Sequence, residues 1–598
     1  MKATLARCVI GLLVTAGCSA PSFRSQSPEN AEVEAAPRIR LVGDLARPYG
    51  MHRAQIEAVA LVTNLDGTGS DPAPSLHRSK LIEEMRRHDV PTNQVLASPS
   101  TAMVLVRAYL RPGIQKGDRF DVELRVPTRS RTESLRNGYL MNTQLRNVAV
   151  LNNTIHDGHV WGLAEGPILT DPGTDENDTV ALGRGRVLGG GVARKSRELG
   201  LTLKTDQRSV RNASAVGVAI NERFHRFDHG IKAGVPTPRN DGRIEPTVPP
   251  QYEDNVARYI RVVQSLPLSE LPVARQARLK SLETQLLDPV TSSTAALRLE
   301  AIGHEAIPVL RTGMASSDEE VRFYAAEALA YLDESEAAGP LAEAARDEPA
   351  FRMFALTALS AMDNFEAYDA LKTLLDALSA ETRYGAFRAL WAMNPADPFV
   401  RGETMDSRFS LHVVNTKSAP MIHVTRSFRP EVVLFGADAE FASPLLLEAG
   451  KRILIKSTDD GQIAVTRFEP GAGSDRRVVS PKIADVVRAV ADVGGTYPDI
   501  VEMLQQAHGA GTLEHRFAVD AIPQAGRTYQ RRLDGDEPSD GELLADADGG
   551  SRFGASSPRP DLFPEIKDDD RSADEDDPET IRREQKRRPL ARLFDKIT

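Results

Sequence analysis

Apolar residues in the first part of the chain are spaced as strands in some segments and as a helix in others. The apolar run at residues 56–62 predicts a largely buried strand, which the glycine-rich turn at residues 64–69 ends. Residues 79–90 predict a helix, and residues 101–110 and 117–126 predict two more strands. This mixture predicts an α+β fold for the N-terminal part of the chain.

From residue 272 to residue 395 the spacing becomes helical and an internal repeat is present. Residues 321–333, 351–363 and 382–394 superpose without gaps, and a more divergent copy lies at residues 292–303. An arginine and a leucine recur in the three clear copies, at Arg322, Arg352, Arg383, Leu329, Leu359 and Leu390. Two helices in a period of about 30 residues cannot bury their apolar faces alone and must stack on their neighbours. The pattern predicts an α-solenoid of helical pairs that resembles HEAT repeats.

After Pro395 the apolar period shortens toward two, which favours short strands. Five strand-like runs end near residue 468, and helical spacings follow at residues 481–493 and 498–506. A proline stands near the start of each of these helices, where the missing N–H costs no helical hydrogen bond. Residues 401–530 are therefore predicted to form a small α+β domain, and a chain of 598 residues is predicted to be a multidomain α+β protein.

The formal net charge of −10 is concentrated near the C-terminus. Residues 533–580 contain 17 Asp and Glu against 4 Lys and Arg, so the remaining 550 residues sum to about +3. Such an acidic segment with few apolar residues is predicted to be disordered. Residues 581–598 carry seven Lys and Arg against two acids, with an apolar face. They predict a short basic amphipathic helix that contacts a membrane, a partner or the acidic tail.

The first 17 residues have the features of an export signal. Lys2 and Arg7 precede an apolar run at residues 9–14, which is too short to span a bilayer. Residues 1–17 are therefore predicted to be a signal peptide.

Cysteine placement refines that prediction. The two cysteines are Cys8, inside the signal, and Cys18, which directly follows it. This order resembles a bacterial lipoprotein signal and implies lipidation of Cys18, whereas an ordinary cleaved signal peptide is the alternative. Ser19 favours retention at the outer membrane, and residues 18–36 are predicted to be a flexible tether. A mature chain with one thiol can form no internal disulfide.

Two motifs suggest chemistry at first sight and are rejected on spacing. The glycine-rich segment at residues 182–191 has Leu188 where a dinucleotide fingerprint needs its third glycine, so a flexible loop is predicted. His225, Asp228 and His229 are metal-capable, but no clear further ligand set accompanies them. The sequence thus predicts no catalytic, cofactor-binding or metal-binding residue, and Cys18 is the one predicted site of modification.

Basic side chains are frequent between residues 107 and 146. The set is Arg111, Lys116, Arg119, Arg125, Arg129, Arg131 and Arg136. One interpretation is a solvated basic face. The other is a surface that faces peptidoglycan carboxylates or an acidic neighbouring subunit. Nucleic acid is not an expected partner of an exported chain.

Short motifs in the first half of the chain follow one another in the order found in a known family. Residues 133–145 are similar to Ser-Leu-x-Gly-Gly-x-Leu-Leu-x-Thr-x-Leu, and residues 161–167 are similar to Tyr-Ala-x-Ala-Gln-Gly-Pro. The further matching segments are residues 38–69, 201–203, 213–224 and 259–268. Over residues 37–268 the chain resembles bacterial flagellar P-ring proteins.

That resemblance implies a non-enzymatic structural protein of the cell envelope, without a cofactor. It implies self-association into a periplasmic ring around the distal rod, with flagellar rod and outer-membrane ring proteins and peptidoglycan as neighbours. The lipid anchor at Cys18 and the added repeats at residues 272–395 depart from the family pattern. The alternative is therefore an outer-membrane-anchored lipoprotein scaffold outside the flagellum, which docks partner proteins through its HEAT-like repeats.

Overall fold

A computed structural model gives the fold of most of the chain. It describes residues 39–87, 89–151, 154–171, 178–228, 231–234, 236–238, 242–405, 409–469, 471, 473–531, 550–552 and 559–563. The predicted signal peptide (1–17), Cys18, the tether (18–36) and the basic helix (581–598) lie outside the described residues.

The N-terminal region alternates strands and helices, as its apolar pattern predicts. Its strands are β1 (Ala46–Tyr49), β2 (Ala54–Thr63), β3 (Ala102–Leu110), β4 (Arg119–Arg125), β5 (Tyr139–Leu151), β6 (Thr154–Pro167), β7 (Arg184–Ala193), β8 (Gly200–Leu203), β9 (His225–Asp228), β10 (Ile231–Gly234), β11 (Pro236–Pro238) and β12 (Arg243–Pro246). Its helices are α1 (Val42–Leu45), α2 (Leu76–Arg87), α3 (Thr92–Leu96), α4 (Thr179–Leu182), α5 (Val210–Arg223) and α6 (Val256–Gln264).

Six of these strands close into an antiparallel barrel in the order β2-β3-β4-β7-β6-β5. Alternate residues of β2 and β3, such as Ile56, Val104 and Val106, point into a core of the barrel's own. On the outside, Leu81 and Met85 of α2 pack on a small separate apolar cluster. Closure removes the free strand edges, where backbone N–H and C=O groups would be unpaired. The barrel strands therefore contact other elements through their side chains.

The glycine-rich segment at residues 182–191 is a strand of this barrel, so the expectation of a flexible loop is wrong. Most of it forms β7, and Val187 is 1 % exposed. Gly191 makes room for an aromatic ring, because a Cβ there would lie 2.2 Å from the Phe120 side chain. Local sequence shows the glycines but not the ring that faces them.

A second sheet has the order β1-β8-β12-β11. The prolines of residues 236–238 lie in β11, at the edge of this sheet, where a missing N–H breaks no ladder bond. Helices α5 and α6 and this sheet contribute Val216, Leu201 and Tyr259 to a large apolar core. That core continues into the repeats without a break.

The repeats fold into pairs of helices as predicted. They are α7 (Pro272–Leu286), α8 (Ser292–Ile302), α9 (Ile307–Met314), α10 (Glu319–Ala330), α11 (Ala338–Asp347), α12 (Arg352–Ser360), α13 (Phe365–Leu374) and α14 (Ala380–Met393). The HEAT-like solenoid is confirmed, and the recurring leucines Leu329, Leu359 and Leu390 are buried in its seam.

The recurring arginines hold each helical pair together. The Arg352 guanidinium donates to the Ala345 carbonyl (3.0 Å), and that of Arg383 donates to the Leu375 carbonyl (2.9 Å). Arg322 donates to the carbonyls of Ser316 and Ser317, just after α9. The last carbonyls of a helix have no partner within it, and Arg352 and Arg383 satisfy such carbonyls, whereas Arg322 satisfies carbonyls of the loop after α9.

The C-terminal region is the predicted α+β domain. Its strands are β13 (Glu403–Met405), β14 (Phe409–Val414), β15 (Met421–Val424), β16 (Glu431–Phe435), β17 (Leu446–Ala449), β18 (Ile453–Ser457), β19 (Ile463–Glu469), β20 (Gly473–Val479) and β21 (Arg516–Val519), and its helices are α15 (Ile483–Asp492) and α16 (Tyr497–Gly509). The strands form a mixed sheet β13-β14-β16-β15-β21 and an antiparallel sheet β17-β18-β19-β20. Both helices lie within two to three residues of their predicted bounds.

The chain then runs back along the repeats. Strand β22 (Thr528–Gln530) pairs with β23 (Gly550–Arg552), and residues 559–563 lie near α6. Phe563 is 2 % exposed, and the Asp561 N–H donates to the Asp254 carbonyl (2.7 Å). The described parts of the segment 533–580 thus depart from the expected disorder, because a buried phenylalanine and strand pairing hold them in place.

Candidate functional site

The structure describes two of the three metal-capable residues considered in the sequence. His225 and Asp228 are the two ends of β9, which pairs with β10, and His229 lies outside the described residues. Among the described residues, no three His, Cys, Asp or Glu side chains lie close enough together to hold a metal ion. The same part of the chain contains no helix with the length and apolar character needed to cross a membrane.

The basic set between residues 107 and 146 is partly engaged within the molecule. Arg111 pairs with Asp118 (3.0 Å), Arg119 donates to the Gly189 carbonyl (3.0 Å), and Arg136 lies 4.0 Å from Glu502. Arg125, Arg129 and Arg131 are exposed. The structure therefore divides the set into intramolecular contacts and an exposed remainder.

An ionic cluster joins α6 to the repeats. Arg258 of α6 is 1 % exposed, and its guanidinium lies 2.6 Å from Glu300 of α8 and 2.7 Å from Glu327 of α10. Tyr252 donates to Glu300 (2.7 Å), and the Arg258 guanidinium lies 4.5 Å from the Tyr331 ring centroid. We call these five residues the α6 joint.

Electrostatics make the α6 joint dependent on its single cation. Two carboxylates share Arg258, and burial raises the pKa of Glu327 although Arg258 opposes that shift. Burial works against the charged form of Arg258 as well, but Glu300 and Glu327 together raise its pKa well above the ordinary value. A buried ion that loses its partner is strongly destabilising, so these elements are held in one arrangement.

A second cluster joins the last repeat to the C-terminal domain. Glu431 of β16 accepts from the Tyr384 hydroxyl (2.5 Å) and from Arg388 (3.2 Å), both on α14. Arg388 and Arg429 lie over the Trp391 ring, at 4.4 and 4.6 Å. Burial alone would raise the pKa of Glu431, but Arg388 and the other polar neighbours outweigh it and lower the pKa. We call this cluster the α14 joint.

A third set of contacts joins the barrel to the C-terminal domain. Asp121 of β4 accepts the N–H of Gly189 (2.8 Å) and the N–H of Phe428. Arg426 pairs with Asp171 (2.9 Å), and its own N–H donates to Asp520 (2.7 Å). We call this the barrel joint. Burial raises the pKa of Asp520 to about 6.

Three charged residues that the repeats contribute to the first two joints occupy one position of the repeat. Aligning the copies places Glu300, Glu327, Thr357 and Arg388 in register, each buried on the apolar face of its helix. Thr357 satisfies itself by donating to the Met353 carbonyl (2.9 Å), whereas the charged residues bind across to other parts of the chain. Sequence reasoning missed these residues. A charge in the centre of an apolar seam was the available signal, since such a charge needs a partner.

An open groove of about 1710 Å³ runs between α2, the outer face of the barrel and the C-terminal domain. Its floor carries a row of alternating charge across neighbouring strands, formed by Arg146, Glu57, Arg107, Glu123 and Arg186. Opposite charges across strands stabilise a sheet. The groove is therefore a charged surface suited to polar contact.

In the same groove Arg125 and Arg184 are directly opposite each other on β4 and β7. Like charges directly opposite each other destabilise a sheet. An anion bound between the two guanidinium groups would reduce their repulsion. The described residues thus present intramolecular joints and a charged outer surface.

Comparison with known proteins shows two family similarities. Residues 41–278 match the family model of the flagellar P-ring protein. Residues 277–351 and 307–391 match the HEAT repeat model. The resemblance to P-ring proteins and to HEAT repeats that the sequence motifs indicate is thereby confirmed.

Individual relatives support the P-ring match at low identity. The flagellar P-ring protein of Geobacter metallireducens is 25 % identical over 237 residues, which are 38 % of this chain and 60 % of the relative. That of Sodalis glossinidius is 28 % identical over 251 residues, 39 % of this chain and 62 % of the relative. The chain thus spans about three fifths of the length of these relatives.

Proposed function

We propose that this chain is a non-enzymatic structural subunit of the bacterial cell envelope that forms a ring similar to the flagellar P-ring. The observation that carries the proposal is the P-ring family match over residues 41–278. A ring needs one surface of each subunit to bind a different surface of the next, with a rotation that closes. In this proposal the matched region supplies both surfaces.

The geometry supports a mechanical role. The three joints connect the matched region, the repeats and the C-terminal domain through buried or partly buried polar contacts. Such contacts leave little freedom between the parts, as a load-carrying subunit requires. The repeats serve in this proposal as a frame that sets the distance between the ring region and the C-terminal domain.

We place the protein in the periplasm, anchored in the outer membrane by a lipid at Cys18. The order of Lys2, the apolar run at residues 9–14 and Cys18 supports this placement. A thioether lipid with two acyl chains gives stable anchoring, whereas one chain is marginal. The neighbours of the protein would be flagellar rod and outer-membrane ring proteins. Arg125 and Arg184 suit the carboxylates of peptidoglycan or of an adjacent subunit.

Imaging of basal bodies tests the proposal. Gold-labelled antibody against the chain should decorate isolated basal bodies at the periplasmic part of the rod, and deletion of the gene should abolish motility. Purified full-length chain should also form closed oligomers, at high concentration or with rod proteins added. Its absence from basal bodies, together with a strictly monomeric product, would contradict the proposal.

A Cys18→Ser variant tests the anchor separately. The unaltered protein should incorporate labelled palmitate and sediment with membranes, whereas the variant should be released from them. A variant that stays membrane-bound, or a parent that takes up no palmitate, would leave the ring proposal standing and remove the lipid from it.

The alternative of an envelope scaffold outside the flagellum makes a different prediction. Such a scaffold would be found in cells or preparations without basal bodies and would capture its partner through the repeats. The α6 joint and the α14 joint occupy the central polar position of the repeats with residues of this same chain. That occupation favours the frame over the scaffold.

A further inference from the structure

After the C-terminal domain, the chain crosses the repeats as an extended segment. We call residues 521–531 the strap. Ile522 is 3 % exposed, and Pro523 packs so closely on α14 that a Cβ at Gly385 would lie 2.7 Å from its ring. From there the strap passes the first turns of α14, α12 and α10 in succession.

Three further side chains of the strap contact the repeats. Arg527 pairs with Glu381 of α14 (2.5 Å), and the Tyr529 ring lies 4.7 Å from that of Phe351, which precedes α12. Arg531 pairs with Glu320 of α10 (2.6 Å) across 211 residues of sequence. Tyr529 is 8 % exposed and the Glu320 side chain 4 %.

The spacing of these contacts is that of a bound extended peptide. Arg527, Tyr529 and Arg531 are alternate residues, so in an extended chain they lie on one face about 7 Å apart. Glu381 and Glu320 stand in the first turns of their helices, where a carboxylate is favoured by the helix dipole. The repeats thus offer two acidic positions on either side of an aromatic one.

Other residues of the repeats contact one acidic position and the aromatic position. Glu381 receives a second arginine, Arg352 of the neighbouring repeat, at 3.0 Å. Phe351 is stacked on Phe323 at 4.8 Å, so the Tyr529 ring extends an aromatic row that the repeats already contain. Neighbouring residues of the repeats therefore hold in place the groups that the strap binds.

We propose that the helix starts of the repeats form a recognition groove for an extended peptide with arginine, an aromatic residue and arginine at alternate positions, and that the strap occupies this groove as an intramolecular ligand. Only residues 524–526 separate the buried Pro523 contact from Arg527. A linker that short gives a local concentration of the order of millimolar. A free peptide of the same chemistry is therefore excluded from the intact protein. It binds when the strap is disabled.

A peptide-binding experiment with the full-length chain tests this proposal. The probe is a fluorescent peptide with the sequence of residues 525–531. The variant carries Arg527→Ser, Tyr529→Ser and Arg531→Ser together, and circular dichroism verifies its fold. The peptide should bind the triple variant at least tenfold more tightly than the unaltered protein. Adding Glu320→Gln and Glu381→Gln to the triple variant should abolish that binding.

Two results would overturn the proposal. One is equal binding of the peptide to the triple variant and the unaltered protein. The other is no binding to a folded triple variant at millimolar peptide. A scrambled peptide with both arginines adjacent is the matched control and should bind neither protein.

A charge exchange keeps the proposal testable if the triple variant fails to fold. Arg531→Glu alone should release the strap and speed amide exchange in β22, and adding Glu320→Arg should restore the slow exchange. A double variant that exchanges as fast as the single one would show that Arg531 and Glu320 do not recognise each other.

Discussion

At the scale of single residues, one repeat position carries the contacts that join the parts of the chain. Glu300 and Glu327 bind Arg258, and Arg388 binds Glu431 from the same register two repeats further on. An apolar residue there would let the repeats pack on any apolar surface. A buried charge accepts only the partner that neutralises it, so these residues select how the parts assemble.

Replacing Arg258 with Met should weaken the fold strongly. Two buried carboxylates would lose their counter-ion, and breaking a buried pair costs about 3–5 kcal/mol. Urea denaturation, followed by tyrosine fluorescence, should show the loss as an earlier midpoint. Arg346→Met is the matched control, because Arg346 is 51 % exposed in its pair with Asp347 and surface pairs contribute at most about 1 kcal/mol. Equal midpoints for both variants would contradict the role of the α6 joint.

The carboxyl of Asp520 in the barrel joint should make stability depend on pH. Burial raises its pKa from 3.8 to about 6, although Arg426 and Ser427 lower it in part. Between those values the folded protein binds more protons at this group than the unfolded chain, so its contribution to stability falls as the pH rises. The Asp520→Asn variant has no such loss. Its free energy of unfolding, relative to the parent's, should therefore rise by roughly 2–3 kcal/mol between pH 4 and pH 6.

Thermal unfolding at several pH values measures the effect. Asp459→Asn, at an exposed turn, is the matched control and should leave the pH profile unchanged. A profile of Asp520→Asn that runs parallel to the parent's would show that Asp520 titrates alike in both states.

At the scale of elements, the barrel and the repeats differ in what supports them. The barrel has a core of its own, which holds Ile56, Val104 and Leu145. Helices α5 and α6 share their core with the repeats instead, since Val216 and Tyr259 belong to the cluster that contains Leu329 and Leu359. The boundary near residue 268, where the P-ring resemblance ends, therefore separates two regions of sequence. The apolar core that contains α5, α6 and the repeats continues across it.

Leu359→Asp should separate these elements. Leu359 is 0 % exposed, and an unpaired buried carboxylate costs several kcal/mol, so the repeats should open first. Limited proteolysis should cut between residues 272 and 395 and reach α5 and α6 soon afterwards, whereas the barrel should stay resistant. Leu378→Asp is the matched control, because Leu378 is 93 % exposed. Simultaneous cleavage of the barrel would show that all parts unfold as one unit.

At the scale of the whole molecule, the joints connect the ends of the fold. The described residues from Leu41 onward form a single compact unit. The α6 joint and the α14 joint connect neighbours along the chain, and the barrel joint connects elements 307 residues apart through Asp121 and Phe428. Each joint thus limits the movement that the other two would permit.

Asp121→Ala should loosen the barrel from the C-terminal domain without unfolding either. The N–H groups of Gly189 and Phe428 would lose their acceptor, and leaving the partly buried Gly189 donor unsatisfied costs about 1–3 kcal/mol. Hydrogen exchange should accelerate at those two amides. The amides of β3, another strand of the barrel, should keep their rates. Asp475→Ala, at a residue whose side chain is 53 % exposed, should change neither.

The sequence by itself determined the local order of this protein. Helices α10, α12 and α14 follow from a repeated pattern of leucines, and α15 and α16 follow from apolar spacing with a proline near each start. Both signals are local, because a helix buries one face wherever that face lies. The P-ring resemblance was readable for a similar reason, as its motifs keep their order along the chain.

Only the tertiary structure decided which faces meet. Gly191 suggests a loop until the Phe120 ring is placed against it, and then the absence of a side chain is required in a barrel strand. Glu320 and Arg531 are ordinary surface residues in sequence, yet they bind each other across 211 positions. Patterns of apolar and charged residues indicate that a side chain needs a partner. Which residue is the partner depends on distances that exist only once the chain has folded.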